Sequence, residues 1–224
     1  MSRTQLPLAL KPPRRPRFDN FVAGPNQAVI ATLSQGVERG GWYFLVGPAG
    51  SGRSHLVSAF FSDRCQRDEQ AHFIAPGNPQ QRLLLGHADG DWVVLDDIDI
   101  LAGDDDGELA LFNALNRWRA GRTGVLMSGT GRDGFVLPDL RSRLGQATRL
   151  TLKPLEEGDL GELVRRMAAE HEVLLGRGVV DYILSRAPRN AGRIAELVES
   201  GARRALTERR TLSVPLVREI LSTK

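Results

Sequence analysis

The sequence predicts an α/β domain with a five-stranded parallel sheet, followed by a small all-helical C-terminal domain. Short apolar runs alternate with segments of helical periodicity as far as Leu152, a pattern typical of a parallel sheet covered on both faces. A glycine-rich loop separates the first of these runs from a helix. After Lys153-Pro154 only helical periodicity continues, which places the second domain there.

The predicted elements follow one another with short connections. We place strands near 42–46, 72–75, 92–96, 124–128 and 148–152, with helices near 53–66, 107–120 and 138–144. The segment 79–91 stays uncertain, with a helical turn around Leu83 as one alternative. The C-terminal helices are predicted near 156–170, 178–186, 193–209 and 214–221. These limits divide the chain into an extended basic arm (1–17), an α/β domain (18–153) and a helical domain (154–224).

Composition excludes several classes of protein. Cys65 is the single cysteine, so no disulfide can form within the chain, and we expect it on the core-facing side of a helix. The four histidines are scattered without ligand-like spacing, which argues against a zinc site. No apolar signal segment opens the sequence, so we expect a cytoplasmic protein without a membrane partner. The formal net charge is +3, and the first 17 residues contain five basic residues and no acidic one.

The glycine-rich loop fits the pattern of phosphate-binding loops, with arginine where lysine is usual. Its residues are Gly47, Pro48, Ala49, Gly50, Ser51, Gly52, Arg53 and Ser54. The context of strand, loop and helix lets backbone N–H groups and the helix dipole face an anion. The alternative is a glycine-rich turn with no ligand. We predict binding of ADP or ATP with Mg²⁺, and include His55 among the expected nucleotide contacts.

A second motif ends the third predicted strand. The run Trp92-Val93-Val94-Leu95 is apolar and leads directly into Asp96 and Asp97, the form of a Walker B strand. Asp96, with the Ser54 hydroxyl, is expected to hold Mg²⁺, and Asp97 is expected to polarise the attacking water. The alternative is an ordinary acidic strand exit. Asp104 to Asp106 are expected to open the following helix, because carboxylates stabilise a helix N-terminus.

The order of these motifs resembles that of the AAA+ ATPases, and the resemblance implies further site residues. Ser128 and Thr130 end the fourth strand, where such proteins carry a sensor of the γ-phosphate; either fits, and we include Thr130. The segment Asp139-Leu140-Arg141-Ser142-Arg143-Leu144 resembles the one that carries the arginine finger, which we assign to Arg143, with Arg141 as the alternative. The lid arginine corresponds to Arg193, or else to Arg189.

Two further segments narrow the resemblance. The stretch from Phe18 to Asn26 is similar to the opening of the ATPase core of DnaA, the bacterial replication initiator. Ahead of it, Gln5-Leu6-Pro7-Leu8-Ala9-Leu10 resembles peptides that dock on the sliding clamp of DNA polymerase, with Gln5, Leu6, Leu8 and Leu10 as the matching residues. No helix-turn-helix module is expected after the helical domain. The chain is therefore identified as a member of the Hda-like, DnaA-related AAA+ regulators.

This resemblance implies a regulator that stimulates ATP hydrolysis by DnaA in trans and so prevents re-initiation of replication. The implied partners are the sliding clamp and DnaA, while DNA contact through the basic arm and assembly with further copies of the chain stay open. Arg53 implies weak or no independent turnover, since its planar fork differs from an ammonium group. Two other hypotheses are a helicase loader or transposition helper acting on single-stranded DNA, and a stand-alone DNA-binding ATPase switch.

Overall fold

The structure, a computed structural model, describes residues 16–131 and 133–222. The chain divides into two compact units, an N-terminal one of Pro16–Pro154 and a C-terminal one whose described residues begin at Leu155. The predicted clamp-binding residues Gln5, Leu6, Leu8 and Leu10 lie outside the described residues.

The N-terminal unit alternates helices and strands as the sequence predicts. Its elements are α1 (Gln27–Gln35), β1 (Trp42–Val46), α2 (Arg53–Gln66), β2 (Ala71–Ile74), α3 (Pro79–Arg82), β3 (Trp92–Leu95), α4 (Asp105–Ala120), β4 (Gly124–Gly129), α5 (Pro138–Leu144) and β5 (Thr148–Thr151). The helical turn considered around Leu83 is a 3₁₀ turn, Leu83–Gly86. Helix α1 is an addition that the sequence patterns did not indicate.

All five strands pair in parallel, in the order β2-β3-β4-β1-β5, which confirms the predicted sheet. Successive residues of β1 point to opposite faces, and both faces are buried. Trp42, Phe44 and Val46 pack in a cluster with residues of α4 and α5. Tyr43 and Leu45 pack in another cluster with residues of α1 and α2. Burial on both faces explains why the strands read as continuous apolar runs.

Helix α4 begins as predicted, and its first turn holds the segment that precedes α5. Asp104 caps the helix by accepting a hydrogen bond from the Gly107 N–H at 3.1 Å. The buried Glu108 carboxylate accepts from the N–H groups of Gly103 (2.8 Å), Val136 (2.9 Å) and Leu137 (2.6 Å). Burial alone would raise the pKa of Glu108, but these backbone donors outweigh it and lower the pKa below its ordinary value.

Helix α2 departs from expectation at Cys65, which is exposed and does not face the core. The neighbouring Arg64 is buried instead. Its guanidinium lies 5.0 Å from the centre of the Phe60 ring and 3.4 Å from a carboxylate oxygen of Glu69. An arginine can take a core-facing position because its stem is apolar and its head group is neutralised and stacked.

The described part of the C-terminal unit consists of four helices around a core of its own. They are α6 (Glu157–Glu170), α7 (Val179–Arg186), α8 (Ala191–Thr207) and α9 (Val214–Ser222). The core includes Leu160, Val164, Ile183 and Val198, and one isolated bridge joins Leu175 to Leu212. None of the helices in the described part of the chain combines the length and apolar character that a membrane span requires.

We predict that Glu108→Gln destabilises the fold at neutral pH. An amide offers one acceptor oxygen in place of two, so at least one buried N–H loses its partner, at about 1–3 kcal/mol. Because the folded-state pKa of Glu108 is lowered, its contribution is complete above the ordinary value of 4.5 and is lost as pH falls through the lowered pKa. Urea unfolding at several pH values measures the difference between the two proteins.

The control for this measurement is Glu162→Gln, the same chemical change at an exposed site that pairs with Arg166 on the surface of α6. Exposed pairs contribute at most about 1 kcal/mol. Equal stabilities for the wild type and Glu108→Gln at pH 7 would contradict the role assigned to Glu108.

Candidate functional site

The loop between β1 and α2 depends on glycine at two positions in particular. Gly52 has a φ of 93°, and a Cβ there would lie 2.5 Å from the Phe21 ring. A Cβ on Gly47 would lie 2.7 Å from the Ser51 hydroxyl oxygen. Both positions therefore exclude a side chain, the first by backbone conformation and contact, the second by contact alone. Gly50 also has a positive φ, 76°.

The loop and the start of α2 retain polar groups that suit an anion. The Ser51 side-chain oxygen is buried and has no hydrogen-bond partner among the described residues. No side chain caps the N-terminus of α2, so side chains leave its first N–H groups open to a ligand. Ser54 is exposed in that first turn. An orphaned hydroxyl and an uncapped helix fit a nucleotide phosphate, which is the group that loops of this sequence pattern hold.

The carboxyl ends of β3 and β4 are joined by a short hydrogen-bonded relay. Ser128, buried at the end of β4, donates its hydroxyl proton to a carboxylate oxygen of Asp96 at 2.7 Å. The same hydroxyl oxygen accepts the backbone N–H of Asp97 at 2.8 Å. Asp96 itself continues the sheet, since its N–H donates to the Ile74 carbonyl oxygen at 2.9 Å. Ser128 therefore fixes both acidic residues that follow β3.

Arg53 joins the glycine loop to Asp97 and Asp99, which follow β3 and form the acidic edge of the site. Its Nη1 donates to the Gly47 carbonyl oxygen at 3.0 Å, which holds the head group against the loop. Nη2 lies 3.6 Å from a carboxylate oxygen of Asp97, and Nη1 lies 3.9 Å from one of Asp99. Only 12% of the Arg53 side chain is exposed. The guanidinium is therefore engaged both with the glycine loop and with the acidic residues that follow β3.

Asp97 and Asp99 are held by the backbone that follows β3. Asp97 has a φ of 57°, a left-handed conformation that aspartate tolerates better than most residues. Burial raises the pKa of the Asp97 carboxyl above its ordinary value, Arg53 opposes the rise, and the carboxylates of Asp99 and Asp96 add to it. The Asp99 carboxylate accepts the Thr130 N–H at 2.5 Å, so Thr130 contacts the acidic edge through its backbone while its side chain is exposed.

His55 and Phe21 fix the segment that precedes α1 against the start of α2. The Nε2 atom of His55 donates to the Arg17 carbonyl oxygen at 3.0 Å, and its ring centre lies 5.3 Å from that of Phe21. Burial lowers the pKa of His55, and the bond to Arg17 only partly opposes this. Beyond Phe21, the buried Asn26 donates to the Lys153 carbonyl oxygen at 3.0 Å and accepts its N–H at 2.7 Å. The sequence patterns had not assigned a role to Asn26.

Helix α5 presents Arg141 and Arg143 on different sides. Leu140 and Leu144 are buried, so they fix which face of the helix meets the core. At 3.6 residues per turn, Arg141 and Arg143 lie about 160° apart around the axis, one on each flank of that face. Arg143 is half-buried, with Nη1 3.5 Å from the Gln146 side-chain oxygen. Neither arginine has an ion pair within residues 16–131 and 133–222.

Comparisons with known proteins bear on the C-terminal helices and on the fold. Residues 157–221 match the family model described as "Hda, lid domain". The matched residues run from the start of α6 into α9, so the described helices of the C-terminal unit form a lid of the Hda type. In fold it is similar to domain III of the replication initiation protein DnaA from Thermotoga maritima, with a TM-score of 0.76 at 16% identity over 92% of this chain and 95% of that one.

Two other solved structures share the fold at lower similarity. AMPPCP-bound DnaA from Aquifex aeolicus has a TM-score of 0.68 at 18% identity, over 84% of this chain and 65% of that one. The RuvB Holliday junction branch migration motor of Thermotoga maritima has a TM-score of 0.59 at 19% identity, over 86% of this chain and 64% of that one. At these identities the likeness concerns the fold.

The two arginines considered for the lid lie at the junction of α7 and α8. Asn190 caps α8 by accepting the Arg193 N–H at 3.0 Å, which places Arg193 in the first helical turn. Its guanidinium pairs with Glu196 at 3.1 Å, and that of Arg189 pairs with Glu157 at 3.0 Å. Both pairs are exposed, so neither guanidinium is held strongly by its carboxylate.

Within the N-terminal unit, the structure brings together part of the predicted site. Asp96 meets Ser128, and Asp97 meets Arg53, all at the carboxyl ends of the strands. Asp99 is an addition, because the sequence places it in the acidic segment without indicating its contact with Arg53. The 3₁₀ turn Ile98–Leu101 buries its first and last residues. The apolar residues at 98 and 101 are the sequence signal that Asp99, between them, faces away from the core and can reach Arg53.

We predict that Arg53→Lys strengthens the binding of ATP or ADP in the presence of Mg²⁺. The shorter lysine releases the Gly47 carbonyl and the two carboxylates. In the wild type, an incoming phosphate competes with these groups for the guanidinium, and breaking one charge-assisted hydrogen bond costs about 1.5 kcal/mol. Removing that cost corresponds to about a tenfold gain in affinity. Calorimetric titration measures the change. Arg177→Lys, in an exposed loop of the C-terminal unit, is the control and should bind as the wild type does. Weaker binding by Arg53→Lys would show that the arginine itself holds the phosphates.

Proposed function

We propose that the protein is a clamp-associated AAA+ regulator that stimulates ATP hydrolysis by the initiator DnaA. In this proposal Arg143 acts in trans on the ATP bound to DnaA and converts DnaA to its ADP form, which prevents re-initiation of replication. The Hda-type lid supports the choice of DnaA as the partner. The observation that carries the proposal is Arg143 itself, a guanidinium on a short helix that the core anchors and no described carboxylate neutralises.

An arginine finger needs a fixed position and an available charge. Buried Leu140 and Leu144 anchor α5, and Glu108 holds the segment that leads into it. Among the described residues, the Arg143 guanidinium hydrogen-bonds to the neutral Gln146 side chain at 3.5 Å, a long contact that a phosphoryl group can replace at little cost. The planar guanidinium can then donate two hydrogen bonds to the charge that develops on the transferring phosphoryl group. These features support Arg143 as a group that acts on another protein's nucleotide.

The protein's own nucleotide is proposed to be ADP or ATP with Mg²⁺, held by the loop Gly47–Ser54. A solved DnaA with a similar fold binds the analogue AMPPCP. Ser54 and Asp96 would hold the metal, which neutralises phosphate charge when it is bound. Asp97 would orient water, but Arg53 is paired with it at 3.6 Å. This pairing supports slow hydrolysis of the protein's own nucleotide. The bound nucleotide would then act mainly by stabilising a conformation of the protein.

The clamp is proposed to bind the arm through Gln5, Leu6, Leu8 and Leu10. In this mode of peptide recognition, the glutamine hydrogen-bonds to the rim of a groove and the leucines fill it. The buried apolar area supplies most of the affinity. Docking on a clamp loaded on DNA would bring the regulator to newly replicated DNA, where DnaA inactivation is needed.

The first test replaces Arg143 by alanine. Loss of a finger removes about 10³–10⁵ of the rate, so stimulation of DnaA hydrolysis should fall to the unstimulated level. The assay follows conversion of DnaA-bound ATP with DNA-loaded clamp present. Arg141→Ala is the matched control, because it removes the same charge from another side of the same helix, and it should retain stimulation.

Clamp binding and nucleotide binding by both variants verify that they are folded. Loss of stimulation in Arg141→Ala and not in Arg143→Ala would transfer the role to Arg141. Wild-type stimulation by both variants would contradict action in trans through this helix.

The second test changes Gln5 and Leu8 together to alanine. Each buried leucine contributes roughly 1.5–3 kcal/mol, so surface-plasmon measurements with immobilised clamp should show binding weakened by at least about tenfold. The control changes Thr4 and Pro7, which belong to the same segment but not to the proposed contact face. Clamp affinity that is equal in both variants would refute docking through this peptide.

A further inference from the structure

A pocket of about 450 Å³ lies at the opposite edge of the sheet from the glycine loop. Its lining includes Trp42 and Thr148, which begin β1 and β5, and Arg119 and Arg122, which lie at the end of α4 and in the turn before β4. Because the strands are parallel, their amino ends share this edge, whereas the expected nucleotide site lies at the carboxyl ends. The pocket is therefore distinct from the site described above. Its other lining residues are Arg39, Gly40 and Gln146.

Three arginines line the pocket, and one of them is neutralised. Arg39 forms an ion pair with Asp91. Arg119 and Arg122 are exposed and have no carboxylate partner in the part of the chain that the structure describes. Gln146 and Thr148 supply neutral polar groups, and no described carboxylate lines the pocket. The pocket therefore carries a net positive charge with hydrogen-bond donors around it.

The fold holds the Arg119 side chain and the backbone turn that carries Arg122. The Arg119 guanidinium lies 4.9 Å from the centre of the Trp42 ring, a cation–π distance. Arg122 has a φ of 56°, and the loop that carries Arg39 meets it closely, because a Cβ on Gly40 would lie 3.1 Å from the Arg122 carbonyl oxygen. Thr123 fixes the same turn by donating to the Gly90 carbonyl oxygen at 2.9 Å. Because the stacked Arg119 guanidinium and the backbone that carries Arg122 are already ordered, binding an anion here costs less entropy.

The chemistry of the pocket favours phosphate over a protein surface. Guanidinium forks match phosphate oxygens with two parallel hydrogen bonds. Protein interfaces are centred on apolar anchors, yet none of the exposed large hydrophobic residues of the described chain lines this pocket, and Trp42 is buried. Arg149, the residue after Thr148 on the edge strand β5, is also exposed and adds a cation near the same edge of the sheet. Several cations near one edge suit a polyanion better than a single ion.

From these observations we infer that the pocket binds the phosphodiester backbone of DNA through Arg119 and Arg122. This site does not depend on the action proposed for Arg143 and lies outside the basic arm. Contacts of this kind are independent of sequence and weaken with salt, because each neutralised phosphate releases counterions. The observed binding constant should therefore fall linearly with salt on a logarithmic plot.

The test measures fluorescence anisotropy of a labelled 30-nucleotide DNA, single-stranded and duplex, over a range of NaCl concentrations with the full chain. The variant Arg119→Gln/Arg122→Asn removes two phosphate contacts, and asparagine suits the left-handed backbone at 122. The slope of log K against log salt should then decrease in magnitude by about 1.4–1.8, with affinity about tenfold lower or more at low salt. Arg122→Asn alone should lower the slope by about half as much.

The matched control is Arg186→Gln/Arg177→Asn, which removes the same two charges from the last turn of α7 and from an exposed loop. It should retain the wild-type slope. Equal losses in the two double variants would mean that net charge alone drives binding and would overturn the inference. Absence of DNA binding by the wild type at low salt would overturn it as well. So would binding of labelled polyglutamate with no binding of DNA, since that would identify an acidic protein as the ligand.

Discussion

The position of β1 between β4 and β5 determines where the rest of the site can lie. In a parallel sheet every strand ends at the same edge, so the loop after β1 begins beside the exit of β4. The register makes this concrete: Val46 lies opposite Gly129, and Leu95 lies opposite Met127. Gly47 and Asp96 therefore follow strands whose ends flank the end of β4. The contact of Ser128 with both acidic residues is a consequence of that order.

Arg53 changes the electrostatics of this edge more than a lysine would. Its fork reaches the Gly47 carbonyl oxygen and two carboxylates at once, whereas a lysine ammonium is a compact group on a flexible stem. Asp97 and Asp99 carry two negative charges against the single positive charge of Arg53. Asp96 adds a third carboxylate nearby. A phosphate entering this edge meets an arginine that is already engaged. The energetic consequence is a site in which ligand and protein compete for the same guanidinium.

The sequence predicted most of the sheet because its central strands are buried on both faces and therefore read as unbroken apolar runs. It did not predict α1, in which only Leu33 is fully buried and the amphipathic signal is correspondingly weak. At Cys65 the error was one of helical phase. Leu56, Phe60 and Arg64 follow one another at intervals of four and share the buried face of α2, so Cys65 is turned away from it.

The candidate site shows the same limits. Its motifs are local, and Gly47–Ser54 and Asp96-Asp97 could be located from spacing alone. The contacts that define their chemistry join distant segments, as when Ser128 meets Asp96 or Arg53 meets Asp97, and no periodicity in the chain indicates such pairs. Arg53 illustrates the difference: its replacement of lysine is visible in the sequence, but its pairing with Asp99 requires the folded sheet.

In the described part of the N-terminal unit, positive charge is neutralised at one edge of the sheet and not at the other. At the carboxyl edge Arg53 is matched by carboxylates, while at the amino edge Arg119 and Arg122 have no carboxylate partner among residues 16–131 and 133–222. Arg143 belongs with the second group, because its contact, Gln146, also lines the basic pocket. Like charges gathered on one side repel one another and lower stability, an effect that a bound polyanion reverses. A DNA backbone bound in the pocket as inferred above would lie beside Gln146, the side chain that Arg143 contacts, and would therefore also reduce the repulsion that Arg143 experiences.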